Sequence, residues 1–293
     1  MLRRAIASAC LLLPLAATTA ARAAEPAGEK FPDAEAPLGL LPTPADALID
    51  PKMARSWGTL PARGFVATNF DFGVVYLRPR VSFGYGRPFT EWVGVDVNAL
   101  AQTTGLGAYG GLRIEIPHLD WRAGPRFFRS FSHTYLLPQH SYERIDLERD
   151  VSNPAKVLTW ETELDLNAEL GPGRLLLRGS ASYVAGVPKG QRVFEETLHI
   201  IVDPPWVWRT RLAYVFTFGS RRQHSLGPAI DVLAVPKRDD SLTMRAGPIL
   251  RLQLSRRVEV RGSFIVTFVS PDHLGLIGGD FTELGLRYRW ASE

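Results

Sequence analysis

The feature that most constrains this chain is the strict two-residue alternation across residues 158–170. Trp160, Leu164, Leu166, Ala168 and Leu170 fall on one side of an extended backbone; Thr159, Glu161, Glu163, Asp165, Asn167 and Glu169 fall on the other. Successive side chains of a strand point to opposite faces, so one surface is apolar and its reverse is acidic. A helix would scatter those carboxylates around its circumference. The pattern predicts a strand whose apolar face must be covered.

The same alternation recurs to the end of the chain. Over residues 244–254, Met244, Ala246, Leu250, Leu252 and Leu254 oppose Thr243, Arg245, Arg251 and Gln253. Over 258–268, Val258, Val260, Phe264, Val266 and Phe268 oppose Glu259, Arg261, Ser263 and Thr267. Near the end, Leu284, Leu286, Tyr288 and Trp290 oppose Glu283, Gly285, Arg287 and Arg289. Weaker examples cover 74–85, 92–100, 107–116, 121–131, 174–183, 194–202, 206–218 and 228–235, with a further strand expected near 142–148. The expectation is an all-β, antiparallel up-and-down transmembrane β-barrel of about twelve strands. Spreading residues 63–290 over twelve strands leaves about 19 residues for each strand with its connection, enough to cross a bilayer at a tilt and turn. A mean hydropathy of −0.03 does not argue against this, because alternating strands average to neutral.

The two ends of the chain add to this reading. Arg3 and Arg4, an uncharged run from Ala5 to Ala21, and Ala21-Arg22-Ala23 read as a signal peptide cleaved near Ala23. It would carry away the single Cys, Cys10, leaving no disulfide and no thiolate site. It would also remove Arg3, Arg4 and Arg22, which brings 34 basic and 30 acidic residues close to balance, so nothing asks for nucleic acid. Residues 24–62 carry Pro26, Pro32, Pro37, Pro42, Pro44, Pro51 and Pro61, an extended periplasmic leader rather than a helix or paired strand. Aromatic residues stand near segment ends, at Trp92, Trp121, Phe127, Phe128, Tyr135, Trp206, Trp208, Phe218, Tyr288 and Trp290, where interfacial girdles are expected.

The final strand, with Leu284, Leu286 and Tyr288 leading to Trp290, resembles the C-terminal signal of bacterial outer-membrane β-barrel proteins. It departs from that pattern in the Ala291, Ser292 and Glu293 that follow the aromatic residue. The resemblance is to a broad class covering about four fifths of the chain. It implies location in a bacterial outer membrane, with outer-membrane lipid and the assembly machinery as partners. The oligomeric state stays open.

The residues expected to carry function are the charges of the polar faces. Glu161, Glu163, Asp165 and Glu169 would form an acidic stripe inside the barrel. Arg209, Arg211, Arg245, Arg251, Arg261, Arg287 and Arg289 would face inward elsewhere. Two readings follow: a passive pore whose opposed charges select small polar or charged solutes, or a lumen closed by salt bridges in a structural anchor. An outer-membrane lipid-modifying enzyme and a soluble periplasmic β protein are the remaining alternatives. Gly105, Gly107 and Gly110 match GxGxxG, but an alternating strand follows instead of the helix that dinucleotide binding requires. His118, His133, His140, His199, His224 and His273 form no compact metal pair, and no GxSxG elbow is present. No residue asks for a cofactor or a metal.

Overall fold

The structure, a computed structural model, describes residues 60–147, 154–219, 222–239, 241–281 and 284–292. The expected signal peptide and residues 24–59 of the leader lie outside the described residues.

The strands run β1 (Arg63–Gly73), β2 (Tyr76–Arg87), β3 (Glu91–Gln102), β4 (Gly105–Ile116), β5 (Leu119–Leu136), β6 (Pro154–Leu170), β7 (Gly173–Ala185), β8 (Arg192–Glu195), β9 (Ile200–Val202), β10 (Trp206–Phe218), β11 (His224–Ala234), β12 (Thr243–Gln253), β13 (Val258–Ser263), β14 (Val266–Val269) and β15 (Gly285–Ala291). All pairings between these strands are antiparallel, and β4–β5 and β1–β15 contacts make the sheet continuous, giving a closed barrel of 12 strands. β13 and β14 together form one wall strand, interrupted where Phe264 and Ile265 leave the ladder, and both pair with β12. β8 and β9 are not part of the wall.

Strand direction sorts the connections into two sets. The turn end holds 88–90, 117–118, 171–172, 219–223 and 254–257, together with both ends of the barrel chain. The loop end holds the long segments 137–153, 186–205, 235–242 and 270–284, beside the tight turns 74–75 and 103–104. Outer-membrane barrels put short turns on the periplasmic side and long loops outside.

Two expected strands are corrected. Residues 194–202 form not one wall strand but a hairpin, β8–β9, folded into the barrel. A wall strand exposes one face, whereas Val193, Phe194, Glu195, Ile200, Ile201 and Val202 are all buried. The carboxylates Glu195 and Glu196 stand side by side in this run, so either register would turn one of them toward lipid. Glu195 instead accepts the Thr197 and Leu198 backbone N–H groups at 2.9 and 2.7 Å and closes the hairpin turn. Residues 142–147 are loop, with one helical turn, α1 (Arg144–Leu147), and residue 148 lies outside the described residues. β1 is absent from the expected strands, because Phe65 faces inward and Thr68 outward, which blurs its alternation. Two mistaken strands and one missed strand bring the thirteen expected segments to the twelve of the wall.

The outer surface is apolar, as the alternation requires. Val95, Ile114, Leu158, Trp160, Leu212, Ile230 and Leu286 are exposed there. At the loop end Tyr183 meets Trp206 edge-on at 5.1 Å, and Trp206 stacks on Trp208 at 5.9 Å. Phe127 and, at the turn end, Phe218, Tyr288 and Trp290 also point outward. Trp92 and Phe128 are corrected: both are buried inside, and Trp92 Nε1 donates to Glu115 at 2.8 Å. In membrane barrels a band of this kind meets hydrocarbon. Leu212→Arg, in the middle of β10, should therefore lower unfolding stability in lipid vesicles by about 2–4 kcal/mol, with at most about 1 kcal/mol for Val74→Arg in a tight turn. Equal costs at both depths would argue against lipid as the covering layer.

The apolar core sits inside, at the loop end. One side of the β8–β9 hairpin, through Val193, Ile200 and Val202, packs on the inner wall at Ala155, Val157, Val184, Val207 and Leu233. Its other side, through Phe194 and Ile201, packs under Leu136, Tyr142, Leu147 and Leu274. The hairpin is also hydrogen-bonded to the wall, since β8 extends the ladder from β5 at Tyr135 and Leu136.

Candidate functional site: the charged lumen

The charges of the polar faces pair locally between neighbouring strands, in place of the expected opposition of stripe and arginines. Glu163 stands opposite Arg122 of β5, and Asp165 and Glu169 stand opposite Arg178 and Arg174 of β7. The corresponding ion pairs measure 3.1 Å for Glu163–Arg122, 2.6 Å for Asp165–Arg178 and 3.5 Å for Glu169–Arg174. Glu161 accepts from Arg126 at 2.9 Å. The acidic stripe is thus neutralised by its own neighbours in the sheet.

The predicted arginines use other carboxylates. Arg209 grips Asp231 through two bonds of 2.8 Å and reaches Asp280 at 2.8 Å. Arg211 bonds Asp231 at 3.0 Å and also Asp280. Arg245 lies 3.8 Å from Asp231. Around the wall, Arg251, Arg261 and Arg289 converge on one carboxylate, Glu259, at 2.8 Å for Arg251 and 3.1 Å for Arg289. Asp71 takes Arg287 and, at 3.0 Å, Arg78. Asp96 takes Arg80 and Arg113, at 3.5 and 3.4 Å.

The expected functional set leaves out Asp71, Asp231 and Asp280, and also Glu259, which the alternation places on a polar face without giving it a role. Asp71, Asp231 and Glu259 are each a lone acid on their strand's polar face, without the run that marked 161–169. Asp280 comes from a loop that folds back inside, for which alternation gives no signal. The resulting field still has a direction. The β5–β7 wall is balanced between acids and bases, whereas the β12–β15 wall gathers three arginines on Glu259 and is net positive.

Three cavities lie along this lumen. The first, about 240 Å³ toward the turn end, is lined by Asp165, Arg178, Arg211, Arg251, Arg261 and His224. A middle cavity of about 130 Å³ touches Arg122, Arg126, Glu161, Glu163, Arg209 and the hairpin residues Thr197 and Leu198. A third, of about 280 Å³, lies toward the loop end among His199, Ile200, Arg245, Thr267 and Asp272. The first two share Arg178, while the hairpin turn stands between the second and third.

The hairpin is held by charge as well as by packing. Arg126 donates to Glu195 at 2.6 Å, and the His133 ring nitrogen Nδ1 meets Glu196 at 2.5 Å. Ser130 donates to Glu196 at 3.2 Å and Thr104 donates at 3.0 Å. This group superficially suggests a hydrolase, with Ser, His and Glu together. Yet its bonds run from Ser130 and His133 to the carboxylate, and none joins imidazole to hydroxyl, the link that activates a nucleophile. It is a clasp on the hairpin.

No protein-family model matches the chain, and no curated protein matches it. Among solved structures it is similar to the NanC porin, with 11% identity, 78% of this chain and 97% of that chain covered, and a TM-score of 0.34. At that TM-score the likeness carries no argument, and the barrel stands on its own strand pairing.

Proposed function

We propose that this chain is a porin-like outer-membrane barrel that passes small charged or polar solutes, with the β8–β9 hairpin as its constriction. The observation that supports this is the lumen itself: cavities of about 240, 130 and 280 Å³ follow one another inside walls of charged side chains. A barrel serving only as an anchor has no use for charged hollows, because paired interior ions are commonly no more stabilising than an apolar filling. The exposed apolar band supports outer-membrane lipid as the outer partner. Strand β15, which closes the barrel against β1, is the segment the assembly machinery would read.

Selectivity would follow from the positive wall of Arg251, Arg261 and Arg289, set across from the balanced wall of Glu161, Glu163 and Asp165. A closed structural barrel is the second reading, favoured by the hairpin turn lying between two cavities. Planar-bilayer recordings of the purified full-length protein separate the two. Discrete steps with a reversal potential favouring anions support the pore. Silence from protein that is folded by heat-modifiable migration, at all applied voltages, would leave the closed barrel.

A further inference from the structure

We infer that the loop-end cavity is a binding site for a small oxyanion, held by Arg245 and His199. It stands apart from conduction: an anion can bind there whether or not the barrel opens.

Arg245 is among the largest fully buried side chains, 1% exposed. Its Nη2 donates to the His199 carbonyl at 2.9 Å, but its Nε and Nη1 have no hydrogen-bond partner in the protein. The nearest carboxylate oxygen, on Asp231, is 3.8 Å from Nη1 and already serves Arg209 and Arg211. Asp280 is likewise shared by Arg209 and Arg211. Arg209, Arg211 and Arg245 thus share two carboxylates, Asp231 and Asp280, and Arg245 has the most distant hold on them. An uncompensated buried guanidinium is costly, and buried N–H groups are almost always paired.

His199, which also lines this cavity, carries a second unpartnered atom. Its Nδ1 lies 2.8 Å from the Ile277 carbonyl, which can only accept, so Nδ1 carries the proton. Its Nε2 is buried and has no partner. Neutral His199 offers there a lone pair; protonated, it offers a donor. Thr243, Thr267 and Ser270 complete the polar lining, and about 280 Å³ is ample for sulfate or a short carboxylate. Asp272 also lines the cavity, but Arg238 grips both of its oxygens. The ligand class is therefore an anion whose oxygens accept from a guanidinium and an imidazolium.

Protonation and binding are linked. Burial holds the His199 imidazole below its usual value, and Arg245 pushes the same way, while Asp280, Glu196 and the Ile277 carbonyl pull against them. His273, the other imidazole lining the cavity, comes from the 270–278 loop. An anion beside Nε2 favours imidazolium, so binding takes up a proton and tightens as pH falls.

The test is calorimetric titration of the full chain, folded in zwitterionic detergent at low ionic strength, with sulfate and with acetate at pH 6 and 8. Both anions keep their charge over that range, so any pH dependence belongs to the protein. The expected result is one saturable site, tighter at pH 6, with proton uptake revealed by buffers of different ionisation enthalpy. Binding of sulfate alone would assign a tetrahedral anion, and binding of both any small oxyanion. Arg245→Met should weaken binding at least about tenfold. His199→Asn, an exchange suited to the positive φ of 56° at this position, should bind more weakly and take up no proton. If Arg245→Met does not fold, Arg245→Lys keeps the charge, loses the planar donors and should also bind more weakly. Absence of saturable binding in the wild type, or wild-type affinity in the Arg245 variant that folds, overturns the site.

Discussion

Excising the hairpin, by replacing residues 189–203 with a short Gly-Ser linker, is expected to raise single-channel conductance several-fold. Thr197 and Leu198 line the middle cavity, and His199 and Ile200 line the loop-end cavity, so removing them joins two hollows into one path. The barrel should survive the cut. Wall closure runs through β4–β5, β5–β6, β6–β7 and β7–β10, and β8 and β9 contribute to none of these pairings. The cost falls on the inner wall, where Val157, Val184, Val207 and Leu233 lose their covering, while Arg126 keeps Glu161 as a partner. A hairpin-free barrel that folds and conducts like the wild type would show that the constriction lies elsewhere.

A milder change reads the same device without deletion. Glu195→Gln with Glu196→Gln removes the charges that Arg126 and His133 hold, and should increase the open fraction at unchanged step size. Acid alone should not imitate it readily. Burial by itself would raise the Glu195 carboxyl, but Arg126, Thr197 and the Leu198 amide hold it below its usual range. A depressed carboxyl gives its full stabilisation above its unfolded value of about 4.3 and loses it only as pH falls through the lower folded value. Conductance traces at pH 5 and pH 7 should therefore show the same open fraction.

What the sequence revealed, and what it hid, follow from one distinction. A wall strand meets two different media, and the period of two is the record of that difference. Residues 158–170 and 244–254 are legible because the outward face is apolar while the lumen tolerates charge on the other. The hairpin and the 270–281 loop meet a single medium on all sides, the barrel interior, so their sequence carries no alternation to read. Phe194 and Ile201 look like wall residues because they are equally apolar. The mark that tells them apart is the adjacent pair Glu195 and Glu196, which no lipid-facing strand accommodates. The site was half legible for a related reason. Inward direction follows from the period. Partner choice depends on register and on which strands are neighbours, so Glu259 and Asp231 could not be matched with their arginines from sequence alone.

The second large effect should come from Glu259→Gln. Glu259 is fully buried, and Arg251, Arg261 and Arg289 all bond to it. Removing its charge leaves three guanidinium groups crowded on adjacent strands with only a neutral amide between them. Breaking a buried ion pair by deleting one partner costs about 3–5 kcal/mol. Arg251 and Arg261 also reach the turn-end cavity, where water can screen them, so the lower half of that range is expected. Asp165→Asn is the contrast, since Arg178 keeps Glu163 at 3.7 Å and is itself partly exposed; about 1 kcal/mol or less should be lost. The two substitutions remove the same formal charge from one lumen but should differ in current as well as in stability. Without Glu259 the β12–β15 wall turns strongly positive, and the reversal potential in a salt gradient should move toward anions. Without Asp165 the shift has the same sign but is smaller, because the balanced β5–β7 wall retains Glu161 and Glu163. Equal effects from both, in denaturant unfolding and in reversal potential, would mean that the lumen responds to net charge alone, and the asymmetry assigned to its walls would fall.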